Sequence, residues 1–404
     1  MKTTAFICEF NPLHEGHRYF IRTARETTGA DCLIALMSGD FVQRGEPAIL
    51  PMHERTKDAL AAGADLILQL PEAFSTGSAA YFAEGGVRIL DALGCVDALA
   101  FGTEPDRGTV LLSGSKPDKR TVPLSGFSDL AAFMYKHKDD LQPLIREGVR
   151  NGLTYAAARA RAIIDLAGSE TLPAGLSDLS EDELSQLLSR PNNQLALSYM
   201  VSLLQLGSSI EPVPIRRDPS FASSSQIRSD LLDADRSAAS QPYLAADDFS
   251  LLLKDRLMMH DAGSLSGYLD ITLDLARRIK KHQNEFVSWG QFTDLLHTKE
   301  MTRARISRCL THILLGIKKD DPLLAERGVS DPVLTKLPPF VRILGFRREA
   351  QPLLAAIKDK SSVSVSTQLP LTMNDAASDL YESVRTDKYA LPFTESHQYQ
   401  PVIL

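Results

Sequence analysis

Short apolar runs alternate with amphipathic stretches over the first quarter of the chain. TAFICEF (Thr4 to Phe10) is the first run, and HRYFIRTARETTG follows with helical spacing and a stop at Gly29. CLIALM (Cys32 to Met37) is the second, with helical spacing again from His53 to Gly63. LILQL (Leu66 to Leu70) and VDALAF (Val96 to Phe101) are the third and fourth. A helix from Ala79 to Leu93, ended by Gly94, separates them. Buried strands alternating with helices predict a parallel sheet covered on both faces.

The alternation stops after Phe101. Residues 105 to 126 carry Gly, Pro and Lys and read as a loop, and helical spacing then runs from Leu130 to about Leu188. A last strand candidate, EPVPIRR (Glu211 to Arg217), leads into SSSQIRSDLLDA. The expected architecture is an α/β domain over 1-240, interrupted by a helical insertion at about 127-200, with a mostly helical C-terminal domain over 245-404. In the latter, the stretch beginning MTRARISRCLTHILLGI is the clearest amphipathic segment.

Length and composition fit this division. A chain of 404 residues exceeds one small core, and its net charge of −7 argues against a wholesale nucleic-acid coat while leaving room for a local basic face. The N-terminus has no signal-peptide pattern, and no apolar run approaches the ~18 residues of a membrane span. Cys8, Cys32, Cys95 and Cys309 are scattered without a C-x-x-C pair. Buried single thiols in a reducing cytoplasm are therefore expected, rather than disulfides or a Cys-rich zinc site.

The turn after the first strand carries the first candidate chemistry. Asn11, Pro12, His14, Gly16 and His17 crowd between strand and helix, where ligands of parallel α/β sheets sit. A helix N-terminus there offers unpaired N–H groups and the positive end of a dipole, which suit phosphate. Gly16 lets backbone and nucleotide approach, and Pro12 stiffens the turn. His14 and His17, three apart, share a face if both lie in the first helical turn, and two imidazoles there can donate to phosphate oxygens. The plainer alternative is a surface or capping role for each His. Zinc is disfavoured because H-E-x-x-H is absent. P-loop and ordinary dinucleotide modes are disfavoured because neither glycine motif occurs.

The pattern N-P-x-H-x-G-H directly after strand one resembles the signature of the HIGH-type nucleotidyltransferase superfamily. Its second motif is matched by SSSQIR, Ser223 to Arg228, after the last strand. Ser225 is a candidate helix cap or phosphate contact, and Arg228 suits polyphosphate because its charge is permanent and its donors are forked. A narrower resemblance covers nearly the whole chain. MSGDFVQRGEPAIL, ADLILQLP, FGTE, RPNNQLALSYM and FVRILGF are similar to the tRNA(Met) cytidine acetate ligase family. That resemblance implies a Rossmann-like catalytic domain that activates acetate with ATP to acetyl-adenylate and acetylates N4 of the wobble cytidine of elongator tRNA(Met).

The resemblance also implies the site. Its ATP loop falls on Ile7, Cys8, Glu9, Phe10, Asn11, Pro12, Leu13, His14, Glu15, Gly16, His17, Arg18, Tyr19 and Phe20. Further ATP contacts fall on Gly102, Asn192 and Arg217, with Arg216 as the rival of the last. The catalytic set expected is His14, His17, Ser225 and Arg228, with Mg²⁺ carried by the nucleotide because no carboxylate cluster marks a metal site. Gln69 stands where the family commonly has an acidic residue, Gly77 where it has Gln, and Gln194, Leu195 and Ala196 where it reads I-L-G.

Ten basic residues against three acidic ones between Arg277 and Lys319 give a local +7 in a chain of −7. They are Arg277, Arg278, Lys280, Lys281, Lys299, Arg303, Arg305, Arg308, Lys318 and Lys319, against Glu285, Asp294 and Glu300. Alone this reads as a solvated face; beside a tRNA-modifying domain it is the expected RNA contact, with Tyr268 and Trp289 flanking it as possible stacking groups and core packing the favoured role for Trp289. Two rivals remain open on the sequence alone. One is a small-molecule adenylyltransferase, which would leave the basic region idle, and the other is a non-catalytic nucleotide-sensing RNA adaptor.

Overall fold

The computed structural model describes residues 1–104, 125–153, 155–167, 180–233, 242–298, 301–321, 323–324, 326–327, 331–332, 337–367 and 373–404. The loop expected at 105 to 126 lies almost wholly outside these residues, as does Lys299. Two compact units emerge. Met1–Phe6, Tyr19–Leu33 and Cys95–Phe221 form the first, and Ile7–Arg18, Ile34–Gly94 and Ala222–Leu404 form the second. Neither corresponds to the expected division near residues 240 to 245.

In the first unit, the start of β1 (Thr3–Cys8) runs parallel to β6 (Ala98–Thr103), with Thr4 opposite Ala98. β7 (Glu211–Arg216) continues the parallel ladder, from Ala98 opposite Glu211 to Thr103 opposite Arg216. Ala24 of the helix Glu15–Thr28 packs on Ala100 and Ile215, with Phe20 and Val213 beside them. Gly29, at φ 62°, ends that helix as its position after the last periodic residue predicts. The insertion is helical as expected: Ser125–Lys136, Lys138–Arg150, Tyr155–Ala167, Glu181–Ser189 and Pro191–Leu206. Ser180 and Glu183 form a capping box, and Pro191 opens the helix whose end is marked by Gly207 at φ 61°.

In the second unit, the end of β2 (Cys32–Ser38) pairs in parallel with β5 (Leu66–Leu70). Between them lies a small hairpin, β3 (Phe41–Val42) with β4 (Glu46–Pro47). The C-terminal part of the chain adds strands that its helical reading omitted. Past a minor pair, β8 (Glu326–Arg327) with β9 (Asp331–Pro332), β10 (Phe340–Phe346) lies antiparallel to β5, with Ile343 opposite Leu68. β11 (Ser364–Ser366) and β12 (Val402–Ile403) both run parallel to β10. The physical reason is the edge of β5, whose N–H and C=O groups need partners when buried. FVRILGF supplies them with an apolar run that periodicity alone could not assign to strand or helix.

Helices make up the rest of the second unit, among them Ser250–Met259, Leu273–His282, Trp289–Leu296 and Arg303–Leu315. They surround Phe249, Trp289, Phe292, Ile306 and Leu310, and Phe41 of the hairpin enters the same core. Trp289 is 1% and Tyr268 5% exposed, so neither can stack on a base. The indole N–H of Trp289 donates to Ser307 Oγ (3.0 Å), whose hydroxyl donates to the Gly45 carbonyl (2.6 Å). Gly45 sits at φ 73°, and a Cβ there would lie 2.2 Å from the backbone nitrogen of Arg308. Gly45→Ala is expected to destabilise the protein by roughly 2–4 kcal/mol, combining the left-handed backbone penalty with overpacking against a helix backbone. Chemical denaturation of the variant checks this.

The thiols differ in burial. Cys32 and Cys309 are buried as expected, whereas Cys8 and Cys95 are partly accessible, and all four are free. Among the described residues, no helix is long and apolar enough to cross a membrane.

Candidate active site

The opening turn owes its shape to hydrogen bonds within the second unit. After β1 the backbone reverses at Phe10 (φ 48°) and passes through a cis Asn11–Pro12 peptide. The carbonyl of His14 then accepts from His17 N (2.8 Å) and Arg18 N (3.1 Å), which starts the helix. The two imidazoles cap that start reciprocally. His14 Nδ1 accepts the Gly16 N–H (3.1 Å), and His17 Nδ1 accepts the His14 N–H (3.3 Å). This is a capping box built from imidazoles instead of hydroxyl and carboxylate. Because each Nδ1 accepts, each neutral ring carries its proton on Nε2. The rings stack with centroids 3.8 Å apart, and Phe10 meets the edge of His17 at 5.1 Å. Capping and catalytic readings of H-x-x-H are therefore compatible: one nitrogen of each ring holds the helix, and the other is a directed donor.

The second motif meets the first. His14 Nε2 lies 3.0 Å from Ser224 Oγ, at the start of the helix Ser224–Asp233. Arg228 donates to the Asn11 carbonyl (2.8 Å) and lies 3.4 Å from Ser225 Oγ. Asn11 is itself fixed, its Oδ1 accepting the Ile49 N–H at 2.7 Å. The serines divide their duties differently from expectation. Ser223 caps the helix by accepting Gln226 N–H (3.2 Å), Ser224 touches His14, and Ser225 adjoins Arg228. A Ser-rich run identifies such a group in the sequence, but only the helix phase separates its members.

Buried charge supports the turn from below. Arg55 is fully buried and bonds the carbonyls of Leu50 (3.0 Å), Glu9 (2.7 Å), Ser38 (3.1 Å) and Gly39. Asp40 stands 3.9 Å from its guanidinium. Arg55 thus ties the turn after β1 to the loop after β2, a role that sequence reasoning missed. Its signal was an arginine on the buried, apolar stripe of the helix Met52–Ala61. Glu9 accepts the Gln43 N–H at 2.7 Å; burial raises its carboxyl, opposed by that N–H and by Arg228, Arg44 and Arg55.

Gln69, in β5, and Glu72, at the start of the short helix Glu72–Ser75 that follows it, are both buried. Gln69 Nε2 lies 3.4 Å from Glu72 Oε2, and a Cβ on Gly39 would fall 1.9 Å from Glu72 Oε1. Burial, and then the charge of Asp40, push the Glu72 carboxyl well above the ordinary 4.5. The folded state therefore holds this proton more tightly than the unfolded chain, and its ionisation costs stability as pH rises above the unfolded value. Glu72→Gln is expected to gain in melting temperature over wild type as pH rises from about 4.5. A parallel pH series on the two proteins checks it; a constant difference across the series would contradict it. Gly77 is similarly forced, since a Cβ there would meet Tyr81 Cβ at 2.6 Å.

A cavity of about 30 Å³ also lies in the second unit, bordered by Asp40, His53, Arg342, Ser378, Glu382 and Tyr399. His14, His17 and Arg228 are not among its lining residues.

The remaining expected contacts lie in the first unit. Gly102, in β6, is partly exposed with open space where a Cβ would stand. Arg217 N donates to Thr103 O (2.9 Å), carrying the β6–β7 ladder one step past the strand. Asn193 is completely buried, its Oδ1 accepting the Glu104 N–H (3.0 Å), whereas Asn192 is partly exposed. Asn193 is therefore the structural member of the pair, and it holds FGTE against the helix Pro191–Leu206. Among the described residues no group of three or more His, Cys, Asp or Glu is placed to hold a metal.

Residues 1–401 match the family described as HIGH Nucleotidyl Transferase. A tRNA(Met) cytidine acetate ligase of Clostridium kluyveri is 32% identical over 403 residues, covering 93% of this chain and 91% of the relative. A protein of the same name in Bacillus licheniformis is 32% identical over 400 residues, covering 91% of this chain and 87% of its own. The fold is that of Thermotoga maritima TmcAL, crystallised with alpha-thio ATP: the TM-score is 0.81 at 23% identity, with both chains covered in full.

Proposed function

The chain belongs to the HIGH nucleotidyl transferase family, and we propose that it activates acetate with ATP and passes the acetyl group to N4 of the wobble cytidine of elongator tRNA(Met). The observation that carries this is the meeting of the two motifs at His14 and Ser224, 3.0 Å apart, with Arg228 bonded to the Asn11 carbonyl. That meeting gathers two Nε2–H donors and a guanidinium at one helix N-terminus. Two relatives, each 32% identical and matched over 91% or more of this chain, are named tRNA(Met) cytidine acetate ligase.

The chemistry starts from acetate, a poor acyl donor because its leaving group would be oxide. Its carboxylate oxygen attacks the α-phosphorus of ATP, the bond to the β-phosphate oxygen breaks, and pyrophosphate departs with that electron pair. The enzyme's work is alignment and charge stabilisation. His14 and His17 donate from Nε2 to phosphate oxygens whose charge grows in the transition state. Arg228, with Ser224 and Ser225, holds the departing pyrophosphate. Gly102, Asn192 and Arg217, in the first unit, are proposed as nucleotide contacts on the family resemblance alone, and Mg²⁺ is proposed to arrive with ATP. The cytidine amine then attacks the acyl carbon, losing a proton as AMP leaves.

RNA is assigned to the basic region between Arg277 and Lys319. Arg277, Lys281, Arg303 and Lys318 are exposed. Arg308 is the weaker candidate for that role, since it is half-buried and its Nε is enclosed. A cytoplasmic location follows from this substrate.

The test is direct. Purified protein, ATP, labelled acetate and total bacterial tRNA are expected to yield free AMP and labelled N4-acetylcytidine after nucleoside analysis. A product that keeps AMP, with unlabelled RNA, would instead identify a small-molecule adenylyltransferase.

A further inference from the structure

Arg44 stands at the tip of the hairpin between β3 and β4, and its backbone is held on both sides. Before it, Gln43 N–H is bonded to Glu9 Oε1 at 2.7 Å. After it, the Gly45 carbonyl accepts from Ser307 Oγ at 2.6 Å, and Gly45 N–H closes the turn on Val42 O at 2.8 Å. Gly45 also lies flat on the backbone of Ser307 and Arg308, with no room for a side chain. The Arg44 side chain, by contrast, is exposed and makes no hydrogen bond or ion pair among the described residues. A long cation on a fixed stem is thus presented beside Glu9, two residues from the Asn11 carbonyl that anchors Arg228.

Its neighbours define the field. Arg228 feels repulsion from Arg44 and attraction from Glu46 and Glu9, and its basicity is depressed chiefly by burial and next by Arg44. Glu9 has its own charge suppressed by burial. Arg44 and Arg228 thus carry like charges on two segments tied to the same turn, one through Glu9 and the other through the Asn11 carbonyl, and an anion at that turn is attracted by both. A diphosphate suits it, because each forked guanidinium can take one phosphate group through paired donors.

We propose that Arg44 is a second phosphate contact of the reaction, gripping the departing pyrophosphate together with Arg228. The proposal rests on the reading of the His14–Arg228 site given above and adds to it a residue outside both nucleotide motifs. It implies that the hairpin, clamped to the turn by Glu9 and to the helix Arg303–Leu315 by Ser307, serves to hold Arg44 in place.

The experiment uses the full chain without tRNA and inorganic pyrophosphate as the probe, titrated by calorimetry into wild type, Arg44→Ala, Arg44→Lys and Arg228→Ala. Arg44→Ala is expected to weaken pyrophosphate binding by about tenfold, the order of one charge-assisted hydrogen bond. Arg44→Lys is expected to restore part of the loss, since it keeps the charge and gives up the fork. Melting temperatures should match, because the side chain is exposed. Wild-type pyrophosphate affinity in Arg44→Ala, with affinity lost in Arg228→Ala, overturns the role of Arg44 alone. Unchanged affinity in both overturns the phosphate reading of the site beneath it. If Arg44→Ala keeps pyrophosphate, and a separate tRNA titration shows weaker binding with a shallower salt dependence, Arg44 is an RNA contact and the proposal fails.

Discussion

His14→Asn is expected to lower acetate-dependent pyrophosphate release by ~10²-fold or more while leaving the melting temperature close to wild type. The choice of Asn follows from the geometry. His14 Nδ1 caps the helix by accepting the Gly16 N–H, and an Asn amide oxygen is as good a cap as any side chain offers. What Asn cannot reproduce is the Nε2–H on the far side of the ring, which reaches Ser224. His14→Ala removes both functions and should lose about 1 kcal/mol of stability in addition. His17→Ala should lose activity to the same degree, because it removes the second Nε2 donor and the acceptor for the His14 N–H. Pyrophosphate release, measured without tRNA beside thermal melts, separates the two effects. Near-normal release in His14→Asn and His17→Ala alike would remove these residues from the chemistry and leave them as caps.

The second expectation concerns two steps that separate by mutation. Arg228→Ala should reduce activation by at least ~10²-fold, since the guanidinium anchored on Asn11 is lost from the phosphate site. Its tRNA affinity should stay near wild type. Arg303→Ala combined with Arg305→Ala should behave in the opposite way, leaving tRNA-free AMP formation nearly intact. The double change should weaken tRNA binding several-fold and reduce the salt slope by roughly 0.7–0.9 for each RNA phosphate no longer neutralised. Folding should tolerate it, because the ion pair of Arg303 with Asp294 is exposed on both sides. Arg308 is left unchanged because its side chain is half-buried, with Nε enclosed, and its truncation would confound folding with binding. ATP turnover without RNA and tRNA affinity at two salt concentrations provide the readout. An unchanged salt slope in the double variant would make the basic stretch a solvated face, and the RNA-binding surface would then be sought on the insertion around Arg161 and Arg190. Arg159, on the same helix as Arg161, is half-buried and turned toward Met134 Sδ at 3.3 Å, which makes it the least available of the three.

Much of the architecture was legible in local pattern. The strands at Cys32–Ser38 and Leu66–Leu70 and the helices ending at Gly29 and Gly94 follow from period, length and stop residues alone. β10 did not follow. An apolar run such as FVRILGF takes its conformation from the neighbour it pairs with, and that neighbour, β5, is distant in sequence.

The site divides along the same line. Local sequence determined that a helix N-terminus after the first strand would carry His14 and His17, and that a Ser-rich helix start would carry Arg228, because a turn between strand and helix is built from adjacent residues. Only the tertiary structure decided that Ser224, and not Ser225, meets His14, since helix phase sets which hydroxyl faces the ring. It also decided that Tyr268 belongs to the interior, and that a buried Arg55 joins two loops through four carbonyls. Burial of a charged or amphipathic side chain depends on what packs over it, and those partners come from elsewhere in the chain.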